Sequence, residues 1–192
     1  MAYRITLIIG IFTIMFGVLS LTGPEAGAAK YERSIETFSV PDVVLVNQLG
    51  EKVRLKSLLD SDQPVIVDFI YATCTTICPV LSAGFANLQK KHDPATGKVH
   101  LVSITIDPEN DTPNAMKVYL ERYNAQPGWD FLTGSRRDID QVMKAFNAYF
   151  RDKMDHRPLS FIRSPGDGKW VRLNGLLSSS DLMNELQQTR VK

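Results

Sequence analysis

The chain has few of the residues that form disulfides or bind transition metals: its 192 residues include two cysteines and three histidines. Two cysteines exclude a scaffold of several disulfides. They are also too few for a structural zinc site, which normally takes four ligands, unless histidines supply the rest. Net charge is also nearly absent, because 22 Lys and Arg offset 21 Asp and Glu to leave +1, with no basic tract or stripe. The sequence therefore predicts no nucleic-acid partner. It shows no internal repeat or low-complexity segment.

The N-terminus is a long apolar run. Residues 5–21 carry no charge, Arg4 precedes them, and a Gly-Pro pair and small residues follow. This order is typical of a secretory signal, with cleavage expected after Ala28. A retained membrane anchor is the alternative for residues 1–28, because the run is at the short limit for a bilayer span. In either case we expect residues 29–192 to form one exported domain, periplasmic or tethered to the outer face of the cytoplasmic membrane.

Both cysteines lie in one short motif, Cys74-Thr-Thr-Ile-Cys78-Pro79, directly after the apolar run at 65–71. Pro79 suits the first turn of a helix, so the motif is predicted where a buried strand becomes a helix. Both sulfurs can then reach one point, to form a disulfide or to bind a soft metal ion. Two buried thiols, or a bridge of little value to stability across so short a loop, are the structural alternatives. The position favours redox or metal chemistry.

The hydrophobic pattern predicts an α/β domain with a mixed central sheet, in which strands alternate with helices and a hairpin and helix close the chain. Residues 30–42 are predicted to be irregular. Strands are predicted at 43–46, 53–55, 65–71, 100–107, 131–132, 158–162 and 170–173. Helices are predicted from the second cysteine to residue 91, from the Thr112-Pro113 pair onward, over 139–150 and over 181–188.

The three histidines differ as candidate partners for the cysteines. His92 ends a helix beside two lysines and is interpreted as solvated. His100 opens a strand, at the end away from the cysteines. His156 lies in a polar loop before a strand, and such a loop can fold over the end of the central strand. Spacing alone does not decide whether His156 is a ligand, since most of the domain separates it from Cys78.

Four motifs stand out together: Asp68-Phe-Ile-Tyr leading into Cys74-x-x-x-Cys78-Pro79, Ser103-Ile-Thr-Ile-Asp107-Pro-Glu-Asn-Asp111-Thr-Pro113, Trp129-Asp-Phe-Leu-Thr-Gly134, and Asp155-His156 before a strand. Over nearly all of the exported region, these motifs resemble the Sco/SenC family, copper-handling thioredoxin-like proteins of cytochrome c oxidase assembly. The resemblance implies a thioredoxin-like fold and one copper ion, Cu(I) or Cu(II), held by Cys74, Cys78 and His156. The strands predicted at 43–46 and 53–55 add an N-terminal hairpin extension to that fold. We assign the 107–113 segment a structural role.

The same resemblance implies a copper chaperone that helps to assemble the dinuclear copper site of cytochrome c oxidase. Its partners would be the copper-site subunit, other copper chaperones and thiol reductants. Two thiolates and an imidazole suit copper, and ligands from two loops leave an open edge for transfer. The alternative is a thiol–disulfide oxidoreductase that keeps the target's cysteines reduced, with Cys74 attacking and Cys78 resolving.

Two features of the loops bear on the expected chemistry, and the first is a departure from the family pattern. Many family members carry proline and an acidic residue between the cysteines, where this chain has Thr75 and Thr76. Loss of that negative charge is expected to alter the thiol pKa values and the choice of partner. Residues 151–158 are polar, so we expect this loop to open in the metal-free protein and to become ordered on copper binding. The isomer of the bond before Pro158 is left open by the sequence.

Overall fold

The computed structural model describes residues 30–91, 98–166 and 168–190. The predicted signal or anchor at 1–28, His92 and part of the predicted final turn lie outside the described residues. Within these ranges, no helix has the length and apolar character needed to cross a membrane. The described peptide bonds are all trans, including the bond before Pro158.

The centre of the domain is a mixed six-stranded sheet. Its strands are β1 (Glu32–Glu36), β4 (Val65–Ile70), β5 (His100–Thr105), β6 (Trp129–Leu132), β7 (Leu159–Arg163) and β8 (Trp170–Asn174). They are hydrogen-bonded in the order β1-β8-β7-β4-β5-β6. Strands β4, β5 and β6 are parallel to one another, and β7, β8 and β1 continue the sheet through antiparallel pairs. Every residue of β4 is buried, as expected for a central strand covered on both faces.

Five helices accompany the strands in the described part of the chain: α1 (Leu55–Leu59), α2 (Cys78–Lys91), α3 (Pro113–Arg122), α4 (Arg136–Ala145) and α5 (Ser179–Arg190). Helix α3 begins as its sequence predicts, because the Thr112 side chain accepts a hydrogen bond from the Ala115 N–H and Pro113 occupies the first turn. The prediction of an α/β domain with a mixed sheet is confirmed.

A separate two-stranded hairpin lies between β1 and β4 in the chain and confirms the hairpin predicted near the N-terminus of the domain. Its strands are β2 (Val44–Val46) and β3 (Lys52–Arg54). The hairpin joins the rest of the domain through paired backbone hydrogen bonds between Val46 and Thr133, at 2.7 and 2.8 Å. The second strand was predicted to include Leu55, but Leu55 begins α1, where it and Leu59 are fully buried.

The prediction that residues 30–42 are irregular is wrong, because residues 32–36 form β1. This edge strand is mostly exposed and lacks apolar alternation, so its sequence carries no strand signal. It is held by pairing with β8 and by Glu185 of α5, whose buried carboxylate accepts from the Tyr31 hydroxyl at 2.7 Å and from Arg33 Nε at 2.8 Å.

Helix α4 is shorter than its apolar pattern predicts. It ends at Ala145, and Asn147 adopts a φ of 51°, in the left-handed region that terminates helices. A short 3₁₀ turn at Lys153–Asp155 then leads to β7. Because β7 is antiparallel to β4, this turn reaches the sheet edge at which β4 ends.

Candidate metal centre

The cysteine motif forms a tight turn at the carboxyl end of β4. The Cys74 N–H donates to the Tyr71 carbonyl at 3.1 Å, and the Cys78 N–H, at the start of α2, donates to Cys74 Sγ at 3.4 Å. Both cysteines are buried and neither is in a disulfide. The first thiol therefore lies against the N-terminus of α2, where N–H groups favour a thiolate.

The two thiols have different electrostatic environments. Burial raises the pKa of Cys74, but hydrogen bonds from the Cys78 side chain, the Cys78 N–H and Thr76 outweigh burial and hold this pKa below its ordinary value. The Thr76 hydroxyl lies 3.7 Å from Cys74 Sγ. Burial, and then the neighbouring Cys74, raise the pKa of Cys78. The pair therefore contains one thiol that ionises readily and one that retains its proton.

His156 follows the 3₁₀ turn, and a backbone carbonyl fixes its ring. The ladder between β4 and β7 ends at the Asp68–Ser160 pair, one residue before Phe69. His156 Nε2 lies 2.8 Å from the Phe69 carbonyl oxygen. A carbonyl oxygen only accepts, so Nε2 carries the proton. Burial lowers the pKa of His156, against the opposing effect of this hydrogen bond. Burial thus favours the neutral ring, in which Nδ1 carries the lone pair.

The structure brings the three candidate residues together. One ligand atom each from Cys74, Cys78 and His156 lies within 4.8 Å of the other two. Soft sulfur donors and a neutral imidazole at this separation suit a single copper ion. His100, by contrast, opens β5 at the other end of the sheet, where its Nε2 lies 2.7 Å from the Asp130 carboxylate.

The loop that carries His156 is held mainly by polar contacts. Lys153 Nζ pairs with Asp107 at 2.6 Å, and Asp152 accepts from the Met154 N–H at 2.9 Å. The rings of Tyr71 and Phe150 each meet the imidazole edge-on, with centroids 5.9 Å away. These contacts pack the imidazole against two aromatic rings, next to the end of β4.

Asp111 braces the cysteine turn from the neighbouring loop after β5. Its carboxylate accepts from the Ala72 N–H at 3.1 and 3.2 Å and from the Thr105 hydroxyl at 2.5 Å. Burial raises the pKa of Asp111 to about 6, although both donors oppose the rise. The sequence assigned this segment a structural role without identifying this contact. A carboxylate a few residues after a strand end was the available signal.

Asp68 lies in β4, inside the sheet, and is close enough to Cys78 to affect the pKa of that thiol. It is 0% exposed, and neither carboxyl oxygen has a hydrogen-bond partner among the described residues. Burial raises the pKa of Asp68 to about 7, against the opposing effect of the nearby Ser103 hydroxyl. Its charge in turn contributes to the raised pKa of Cys78. The sequence identifies Asp68 only as part of a motif and does not predict that its carboxyl lacks a hydrogen bond.

Comparison with known proteins agrees with this architecture. A family model described as SCO1/SenC matches residues 34–179. The SCO1 protein homolog of Bacillus subtilis (strain 168) is 34% identical over 143 residues, which are 70% of this chain and 72% of that protein.

Solved structures show the same fold. BsSco, a member of the Sco family of cytochrome c oxidase assembly proteins in which a disulfide switch was identified, has a TM-score of 0.67 at 30% identity and covers 81% of this chain and 95% of its own. Bradyrhizobium japonicum ScoI, solved with copper bound, has a TM-score of 0.63 at 25% identity and covers 80% of this chain and 98% of its own. The fold is therefore thioredoxin-like, and the chain belongs to the SCO1/SenC family.

Proposed function

We propose that this protein is an exported copper chaperone that helps to assemble the dinuclear copper site of a cytochrome c oxidase subunit. The observation that carries the proposal is the cluster of ligand atoms from Cys74, Cys78 and His156, all within 4.8 Å of one another. Membership of a family that includes a copper-bound structure and an oxidase assembly protein supports it. Copper is the cargo, one ion per chain.

The donor set explains how the protein can both hold and release copper. Cu(I) is soft and binds thiolates, while the imidazole also suits Cu(II). The hydrogen bond to Phe69 leaves Nδ1 of His156 as the ring atom available for the metal. The cysteines and the histidine come from separate loops, so an acceptor's thiols can replace them one at a time. Each thiol must lose its proton as it binds.

Metal titration tests the ligand set. Reduced protein is titrated with Cu(I) against the competing chelator bicinchoninate, and one equivalent is expected to bind. His156→Ala should weaken binding by about tenfold or more, because it removes a donor. His100→Ala is the matched control, since this histidine lies at the opposite end of the sheet. A His156→Ala variant with unchanged affinity and spectrum would exclude His156 as a ligand.

A thiol–disulfide oxidoreductase is the second candidate, favoured by the opposite pKa directions of the two cysteines. The Cys74 thiolate would attack a target disulfide, forming a mixed disulfide and releasing one target thiol. Cys78 would then attack Cys74 Sγ, releasing the second target thiol and leaving the pair oxidised. One target disulfide is thereby reduced to two thiols.

One variant separates the two functions. His156→Ala removes a copper donor and leaves both thiols in place. If it abolishes complementation of oxidase assembly without altering the Cys74–Cys78 reduction potential, copper delivery is the essential role. Full complementation would favour the oxidoreductase.

Export is part of the proposal and has its own test. We propose that residues 1–28 direct the chain across the membrane, as a cleaved signal or a retained anchor. Mass spectrometry of the protein recovered from the producing cells measures the mature N-terminus. A start at Ala29 indicates cleavage, whereas a mass that includes residues 1–28 in a membrane fraction indicates an anchor.

A further inference from the structure

A methionine at the rim of the metal centre has no place in the ligand set. Met154 is 71% exposed, the highest value among the large apolar side chains recorded as exposed in the described part of the chain. It occupies the middle of the 3₁₀ turn, two residues before His156. A thioether is a soft, uncharged donor that binds Cu(I) without losing a proton.

The Met154 sulfur contacts Tyr71, and Tyr71 in turn packs against His156. The Tyr71 hydroxyl donates to Met154 Sδ at 3.8 Å, and the Tyr71 ring meets the imidazole of His156 edge-on at 5.9 Å. The Cys74 N–H donates to the Tyr71 carbonyl at 3.1 Å. Tyr71 thus lies next to Cys74, His156 and Met154 at once.

The turn that presents Met154 is held in place. The Met154 N–H donates to Asp152 Oδ1 at 2.9 Å, and the Asp155 N–H donates to the Asp152 carbonyl at 3.0 Å. On the other side, Lys153 is tied to Asp107 at 2.6 Å and lies over the Tyr71 ring, 5.3 Å from its centroid. The thioether is therefore exposed to solvent while its backbone is anchored beside the ligands.

We propose that Met154 is an outer, transient ligand through which Cu(I) enters and leaves the Cys74–Cys78–His156 centre. This inference rests on the proposed function, because it takes Cu(I) as the cargo. On entry, the bond between Cu(I) and the donor's thiolate breaks as the bond to Met154 Sδ forms. The bond to Sδ then breaks as Cys74 Sγ binds. Copper stays Cu(I), no electron moves, and the thiol protons pass to the departing thiolate or to solvent.

A transient ligand has a kinetic signature that a resident ligand lacks. It lowers the barrier in both directions and leaves the end states unchanged. Its removal must therefore slow loading and unloading by the same factor, since their ratio is the equilibrium constant. A resident ligand would instead change that equilibrium constant. An exposed side chain without a role would change neither.

The test uses the purified, reduced full-length chain with Cu(I)–glutathione as the metal source. Stopped-flow measurements follow loading of the metal-free protein and its unloading by excess glutathione, and competition with bicinchoninate gives the affinity. We expect Met154→Leu, which keeps the apolar bulk and removes the donor, to slow both processes by about tenfold. The affinity should change less than about twofold. Tyr71→Phe, which frees the thioether, should give a smaller loss of the same kind.

Met183→Leu, the same change in α5, is the matched control and should transfer Cu(I) at the wild-type rates. Wild-type rates in both directions for Met154→Leu would overturn the inference. A lower affinity with an unchanged loading rate would also overturn it, because Met154 would then be a resident ligand. A wild-type chain that takes up no Cu(I) would refute the proposed function itself and, with it, this inference.

Discussion

Replacing Asp68 with asparagine removes a buried carboxyl that has no hydrogen bond among the described residues. Asp68 is 0% exposed and lies between Ser103 of β5 and Ser160 of β7 in the sheet register. Burial raises its pKa from 3.8 to about 7. Asparagine has nearly the same shape and does not titrate. The substitution therefore isolates the contribution of this one proton to stability.

Because the pKa of Asp68 is raised in the folded state, the wild-type protein should lose stability as pH increases. Below pH 3.8 the carboxyl is protonated in both the folded and unfolded states, and it contributes no pH dependence. As pH rises toward 7, the unfolded state ionises while the folded state retains the proton, so the folded state loses stability. A shift of about three pH units corresponds to about 4 kcal/mol. Between pH 5 and pH 8, the part that is lost is about 2–3 kcal/mol.

Urea unfolding of the reduced, metal-free protein at a series of pH values measures this loss. The free energy of unfolding of Asp68→Asn minus that of the wild type should increase by about 2–3 kcal/mol from pH 5 to pH 8. Any constant effect of the new amide cancels in this change with pH. Asp62→Asn, in an exposed turn, is the matched control for loss of a carboxylate. A difference between Asp68→Asn and wild type that stays constant with pH would refute the reasoning, because Asp68 would then be ionised and solvated or paired.

Three further outcomes are expected. Asp111→Ala should lower the free energy of unfolding by about 1–3 kcal/mol, since the Ala72 N–H and the Thr105 hydroxyl lose their acceptor. Urea unfolding measures this loss, and an unchanged free energy of unfolding would contradict a stabilising role for Asp111. Cu(I) affinity should rise with pH through the alkaline range, because burial raises the pKa of Cys78 and its proton must leave on binding; competition titrations that show no pH dependence would contradict this. Amide hydrogen exchange should show protection of residues 151–158 on Cu(I) binding, whereas equal protection in both states would mean a preformed site.

Local patterns were enough to predict most of the sheet and helices. The run that forms β4 is apolar over its length because both of its faces are covered, and the Thr112-Pro113 pair marks the start of α3. Strand β1 was missed because an edge strand needs no apolar face. Its position depends on β8 and on Glu185, which lie more than a hundred residues further along the chain.

In the candidate site, the cysteine turn could be predicted from the sequence, whereas the position of His156 could not. The cysteine turn is local, and its strand, turn and helix start follow from adjacent residues. The position of His156 is not local, since its ring is fixed by the Phe69 carbonyl, 87 residues away. That contact exists because the β4–β7 ladder ends one residue before Phe69. Residue spacing does not predict this strand register. Without the family resemblance, the sequence could not identify His156 as a candidate ligand.

Strand direction explains why the candidate ligands and the residues that support them meet at one edge of the sheet. The loop that follows β5 brings Asp111 to the cysteine turn, because β5 is parallel to β4 and ends at the same edge. The loop that precedes β7 brings His156 to this edge, because β7 is antiparallel and begins there. A parallel β7 would place that loop at the opposite edge, beside His100. The mixed character of the sheet, with neighbours of opposite direction on the two sides of β4, is therefore what allows two distant loops to supply one candidate metal centre.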